Sequence, residues 1–169
     1  YLAQKFARAL IGTNNIDHCA QPWHSSTVAG LAAAFGDGAM TNPIKNIEKA
    51  DAILITGSNT SENHPVLSSY AKRAVSFKGT KLVVVDHRRI PIVHHADLWL
   101  RPKPGTDVAC INGMMHVILK EKLHDEEYVK SRTTGLDDLK KTLEKYTPEH
   151  VEEITGIPKD QLVEAARIY

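Results

Sequence analysis

The stretch that most constrains the fold is Ala50–Pro65, ADAILITGSNTSENHP, in which a short apolar run stops abruptly in a polar loop. Ile53, Leu54 and Ile55 form a continuous apolar segment bounded by turn-forming residues, the pattern of a strand buried on both faces of a parallel sheet. Gly57, Ser58 and Asn59 break it, because glycine admits positive φ and Ser and Asn side chains bond locally to backbone. His64-Pro65 then opens a helix, with proline at a favourable early position. In open α/β sheets ligands bind outside the carboxyl ends of the strands, so this loop is the first candidate ligand site.

Two more stretches repeat the arrangement. Lys81–Asp86, KLVVVD, is an apolar run closing on a carboxylate, and Asp97–Pro102, DLWLRP, runs into Lys103-Pro104-Gly105-Thr106-Asp107. Thr106 suits an N-cap, and Asp107 suits the positive end of the helix that follows. The ends of the three expected strands thus carry Asn59, Asp86 and Asp107. Side chains of this kind accept hydrogen bonds from ribose hydroxyls or from the amino and imino edge of a purine, and helix N-termini suit phosphates. Turn chemistry and capping account for each residue singly without a ligand. Their coincidence on one expected sheet edge is what favours binding.

Strands alternating with helices, from the amphipathic stripe Leu67, Tyr70, Ala71, Ala74 and Val75 to the helix after Asp107, predict a doubly wound, mainly parallel α/β sheet of Rossmann-like type. That last helix is expected to turn Val108, Ile111, Met115 and Ile118 inward. From about residue 125 the pattern is helical, with breaks at Gly135, Thr147-Pro148 and Gly156-Ile157-Pro158. Upstream, Tyr1–Ile11 reads as a helix stopped by Gly12, and Ser26-Thr27 as the cap of a small-residue helix ended by Gly36. At 169 residues the whole is expected to be one α/β domain. The first residue is not Met and both ends fall in helical sequence, which points to a piece of a longer protein. On that reading Leu162, Ala165 and Ala166 are expected to face a partner beyond the last residue.

A net charge of +1 with no basic run argues against nucleic acid as a partner, and no apolar run is long enough for membrane insertion. A cytoplasmic setting is the simplest expectation. Cys19 and Cys110 form no metal-binding CxxC pair and no disulfide framework, so both are expected to be reduced. His87, His94 and His95 cluster in sequence without a standard metal-ligand spacing. Arg88 and Arg89 are free to pair with phosphate or with Asp97 and Glu62. Asp17, His24 and Ser25 hint at a hydrolase, but no G-x-S-x-G elbow accompanies them.

The segments Asn14–Ala20, His24–Leu31, Phe35–Asn42, Gly57–Pro65, Val85–Arg88, Pro104–Asp107 and Tyr146–Glu149 together resemble, in this order, the catalytic subunit of molybdopterin-dependent formate dehydrogenases. The resemblance implies interconversion of formate and carbon dioxide at a molybdenum or tungsten centre held by two molybdopterin guanine dinucleotides. This chain would be most of the α/β domain gripping one of them, inactive by itself. The implied partners are the remaining domains of the same subunit, an electron-transfer subunit and formate, with an iron–sulfur cluster outside the chain.

By the same resemblance, the nucleotide would be held by Gly57, Ser58, Asn59, Glu62, His64, Asp86, Arg88, Gly105 and Asp107, with His24 moving the formate proton. The family usually has Asp-Pro-Arg where this chain has Asp86-His87-Arg88, so the rigidity of the proline is lost. Trp23 stands at the position of the cysteine or selenocysteine that ligates the metal, and an indole offers one N–H donor and no anionic sulfur or selenium. Two explanations are open: a scaffold relative whose ligand position is filled by a ring, or a UGA selenocysteine codon recoded or misread as the tryptophan codon UGG. Retention of Cys19, His24, Ser25 and Ser26 favours the second, and Trp23 is expected to be exposed on a loop.

Overall fold

A computed structural model of the chain describes residues 1–169. They form two compact units, Tyr1–Pro43 and Ile44–Tyr169, where the sequence suggests one domain.

The first unit is helical. Helix α1 (Leu2–Lys5) continues into a π-helical turn, Phe6–Ile11, and ends at Gly12 with φ 77°. Such a left-handed cap is costly for any residue with a Cβ. A short helix α2 (Ala20–Trp23) leads into α3 (Ser25–Phe35), closed by left-handed Gly36. The cap of α3 differs from expectation. His24 occupies the N-cap without a side-chain bond, and the Ser25 hydroxyl donates backward to the Gln21 carbonyl at 2.8 Å. The helix starts early because α2 runs straight into it, leaving Ser26 and Thr27 inside.

In the second unit a 3-10 segment (Ile44–Lys49) precedes strand β1 (Ala52–Thr56). Helices α4 (Thr60–Asn63) and α5 (Pro65–Arg73) follow, the latter extended by a π-helical turn to Lys78. Then come β2 (Lys81–Val85), a 3-10 segment (Pro91–His95), β3 (Leu98–Leu100) and α6 (Asp107–Lys120). Four helices complete the chain: α7 (Glu126–Arg132), α8 (Leu136–Leu143), α9 (Pro148–Thr155) and α10 (Lys159–Ile168). The three strands are parallel in the order β1-β2-β3, with Ala52 opposite Lys81 and Val83 opposite Leu98.

Period-two alternation along β2 builds a core on each face. Val83 and Val85 point into one with Leu100, Cys110, Met114, Val151 and Leu162, while Leu82 and Val84 point into the other with Ile55, Ala71, Ile90 and Ile92. Helices on both faces make this the expected doubly wound α/β arrangement. Its centre is β2, not β1. Strand β1 lies at the sheet edge and is half-buried over Ala52–Leu54, since a run of three aliphatics marks a strand without revealing whether a ladder forms on both of its sides.

Two packing expectations are corrected. Helix α6 buries Ala109, Cys110, Gly113, Met114 and Val117, and leaves Val108 69% exposed. Ile111 and Ile118 pack at the margin of that core as expected, while the deepest positions go to small residues that admit close neighbours. The residues Leu162, Ala165 and Ala166 do not await a partner: they are buried against the sheet and α6. Burial of the Cys110 thiol pushes it up to about 12, with Asp107 adding to the effect, so it is a protonated core group.

At the amino end of the sheet Asp97 accepts from Lys81 Nζ at 2.6 Å and from the Leu82 N–H at 2.9 Å. The Lys81 bond, followed by the Leu82 bond and the Lys81 charge, outweighs partial burial and holds the carboxyl below its ordinary 3.8. A depressed carboxyl stabilises the fold above its unfolded value and loses that contribution as pH falls through the folded value. Asp97→Asn is therefore expected to cost up to about 1 kcal/mol at pH 7 and to approach wild type as pH falls below the ordinary carboxyl value of 3.8, as urea midpoints measured down a pH series will show.

Candidate functional site

The carboxyl ends of all three strands open on one edge. After β1, Gly57 turns with φ 57°, and a Cβ built there would meet nothing within 4 Å. Its N–H donates to the Val85 carbonyl at 3.0 Å, which ties this loop to the end of β2. Asn59 then begins α4, its carbonyl accepting from Glu62 and Asn63 N–H at 3.1 and 3.0 Å. Asn59 and Thr60 are only 8% and 6% exposed, yet Asn59 Oδ1 and Thr60 Oγ1 have no hydrogen-bond partner. Such oxygens carry a desolvation cost that a ligand can remove.

After β2, Asp86 is buried, and its Oδ1 accepts the Arg88 N–H at 2.8 Å. His87 Nδ1 lies 3.6 Å from the same oxygen, an ion pair only when the imidazole is protonated. The Asp86 N–H donates to the Leu100 carbonyl at 3.1 Å, the last link between β2 and β3. The His87, Arg88 and Arg89 side chains are exposed, and neither arginine pairs with a carboxylate, Asp97 being taken by Lys81. After β3, Gly105 adopts φ 82° over open space, and exposed Asp107 is the first residue of α6. Thr106 occupies the N-cap, but its hydroxyl donates to the Lys103 carbonyl at 2.6 Å instead of capping.

The edge therefore joins Gly57, Ser58 and Asn59 to Asp86 and Arg88, with Gly105 and Asp107 following the adjoining β3. Glu62 and His64 lie farther along the first loop, both exposed. His64 sits between α4 and α5, and its carbonyl accepts the Ser68 N–H at 2.9 Å. Trp23 and His24 belong to the other unit, where both are exposed; Trp23, 78% exposed as expected, closes helix α2 instead of lying on a loop. Sequence reasoning missed Thr60, whose burial follows from the start of α4, and also Trp99 and Arg101, whose bonds to the β2 loop depend on the pairing of β2 with β3.

Cavity size alone points elsewhere. A hollow of about 670 Å³ lies beside Leu119, His124, Val129 and Leu136. A groove of about 370 Å³ runs along β1 and α5 past Leu54, Leu67 and Ala71 and reaches Ser58 and Thr60. The strand-end edge is the better chemical candidate because two buried, unpartnered oxygens, Asn59 Oδ1 and Thr60 Oγ1, stand there with buried Asp86, whereas the hollow offers one such atom, His124 Nδ1. No three His, Cys, Asp or Glu side chains assemble into a metal-sized group. No helix is long and apolar enough to cross a membrane.

The family model for molybdopterin oxidoreductases matches residues 1–160. The whole chain is 53% identical to F420-dependent formate dehydrogenase 1 subunit alpha of Methanococcus maripaludis, of which it covers 25%. It is 43% identical to formate dehydrogenase H of Escherichia coli, covering 24% of that protein. The chain thus spans about a quarter of the length of these curated relatives. Among solved structures, acetylene hydratase from Pelobacter acetylenicus superposes with a TM-score of 0.67 at 31% identity, over 75% of this chain and 19% of that one. A match of this extent, on a doubly wound sheet with an open strand-end edge, makes the chain a member of the molybdopterin oxidoreductase family.

Proposed function

We propose that the full-length protein is a formate dehydrogenase catalytic subunit and that this chain grips one guanine dinucleotide of a molybdenum or tungsten bis-pterin cofactor. The observation that carries this is the pair of buried, unpartnered oxygens, Asn59 Oδ1 and Thr60 Oγ1, at a strand-end edge that also presents Asp86 and two open glycines. The donor set fits the group: Asn59 and Asp86 offer acceptors to a purine edge or ribose, unpaired Arg88 offers a cation to phosphate, and Gly57 and Gly105 admit close approach of backbone. Ser58, Glu62, His64 and Asp107 complete the proposed holding set.

When bound, the group supplies the two-electron acceptor that formate oxidation needs. The proton released with carbon dioxide is assigned to His24, whose imidazole is exposed and is of the side-chain type that carries protons in general acid–base work. An iron–sulfur cluster outside the chain, an electron-transfer subunit and a cytoplasmic setting complete the proposal. The chain alone is expected to be inactive, since a domain holding one side of a cofactor does not assemble a metal site.

Titration of the isotope-labelled 169-residue chain with GDP, followed by amide shifts, is expected to perturb Gly57–Thr60, Asp86–Arg88 and Gly105–Asp107. Affinity will be modest because much of the ligand stays in water. Shifts confined to Asp125–Tyr169 would remove the assignment.

Trp23 favours a second reading, a catalytically silent scaffold relative, because tryptophan cannot ligate the metal. The genomic codon separates the two. UGA at position 23 supports a selenoenzyme, whereas a native UGG moves the weight to the scaffold.

A further inference from the structure

The loop leaving β2 carries two of the proposed holding residues, Asp86 and Arg88, on either side of exposed His87. Beyond the Asp86 N–H bond to Leu100 the strand ladder stops, and such a loop is ordinarily free to turn its peptide planes. Here it is held from β3. The Trp99 indole N–H donates to the Asp86 carbonyl at 2.8 Å, and the Arg101 Nε–H donates to the His87 carbonyl at 3.1 Å. The two donors stand two residues apart, hence on the same side of the strand, and the Arg101 guanidinium lies 5.9 Å from the Trp99 ring centroid. They capture consecutive carbonyls. With both peptide planes fixed, the Arg88 N–H meets Asp86 Oδ1 at 2.8 Å, which sets the direction of the carboxylate.

Building on the proposed nucleotide site, we infer that Trp99 and Arg101 are positioning residues that preorganise Asp86 and Arg88 for the ligand. They act through the loop and do not touch the ligand themselves. Binding to a loop already in its bound shape costs less ordering, so removal of one donor weakens affinity without removing any ligand contact.

The test uses the cofactor-free full-length subunit with GDP as probe. Trp99→Phe keeps an aromatic ring and deletes the N–H; it is expected to weaken GDP binding about fivefold, the worth of one net hydrogen bond. Hydrogen exchange across Val85–Ile90 should accelerate in the absence of GDP. His87→Pro on the Trp99→Phe background is expected to recover most of the affinity. The His87 N–H makes no hydrogen bond and its φ is not positive, so proline costs no bond there and restricts the loop by its ring. A packing role for Trp99 would not be rescued this way.

Equal GDP affinity in wild type and Trp99→Phe, unchanged exchange across the loop, or failure of His87→Pro to rescue each overturns the inference while leaving the site in place. Absence of GDP binding by wild type would remove the site and the inference with it.

Discussion

Leu162→Ala is expected to lower the stability of the Ile44–Tyr169 unit by about 3 kcal/mol, the largest loss of any single substitution considered. Leu162 is 0% exposed, and it meets α6 at Gly113 and joins the core formed by Val83, Val85 and Leu100. Three carbons are removed from a site whose neighbours are rigid, so a cavity persists and its cost adds to the lost transfer energy. Chemical unfolding of wild type and variant at neutral pH, at equal m-values, will measure it. A loss below about 1 kcal/mol would mean that α10 does not pack as described.

Gly113→Ala is expected to destabilise the same unit by up to about 2 kcal/mol, although alanine is the better helix former. A Cβ at Gly113 would lie 2.8 Å from Val151 Cγ2, 2.9 Å from Leu162 Cδ2 and 3.2 Å from Val151 Cγ1. Overpacking of this kind costs about 1–3 kcal/mol, against about 1 kcal/mol gained from helix propensity. Val151 and Leu162 are fully buried, so neither methyl has room to move away. The two substitutions should also be coupled. On the Leu162→Ala background one of the clashing methyls is gone, and the added penalty of Gly113→Ala should shrink, which a double-mutant cycle reads directly.

Much of this architecture was legible in residue order. The runs at Ile53, Leu82 and Leu98 announced the strands, and Gly12, Gly36, Gly79 and Gly156 stand at left-handed caps. Asp86 directly after the second run, with Asn59 and Asp107 in the turns that follow the other two, marked the strand-end edge in advance, because side chains there leave the ladder and are free for other bonds. The position of β1 at the sheet edge was not legible, since an aliphatic triplet packs equally well in either place. The inward face of α6 was legible only in part: Ile111 and Ile118 do pack against the core, while Ala109, Cys110 and Gly113 carry little hydrophobic signal, yet their small size is what allows α9 and α10 to approach.

Two other misses have tertiary causes. The unpartnered oxygens of Asn59 and Thr60, and the hold of Trp99 and Arg101 on the β2 loop, arise only when neighbouring strands are in register. Trp23 and His24 differ from all of these. Beyond the unsupported hydrolase hint at His24, nothing in their local pattern singles them out, and the family resemblance is what gives them a role.

The parallel order of the sheet also dictates how the unit comes together in time. No two of its strands can zip from a hairpin turn, since Lys81 reaches Ala52 only after all of α5 has folded back across the sheet, and Leu98 reaches Val83 only after the Pro91–His95 segment has done the same. Chain entropy is lost in closing both crossovers before the first ladder bond returns anything. The candidate edge, made from the carboxyl ends of these strands, is therefore complete only once both crossovers have closed. During synthesis, nascent chains that have emerged only as far as β2 expose the aliphatic run Leu82–Val85 with one flank unpaired, and that interval is when the growing polypeptide is most open to aggregation or chaperone capture.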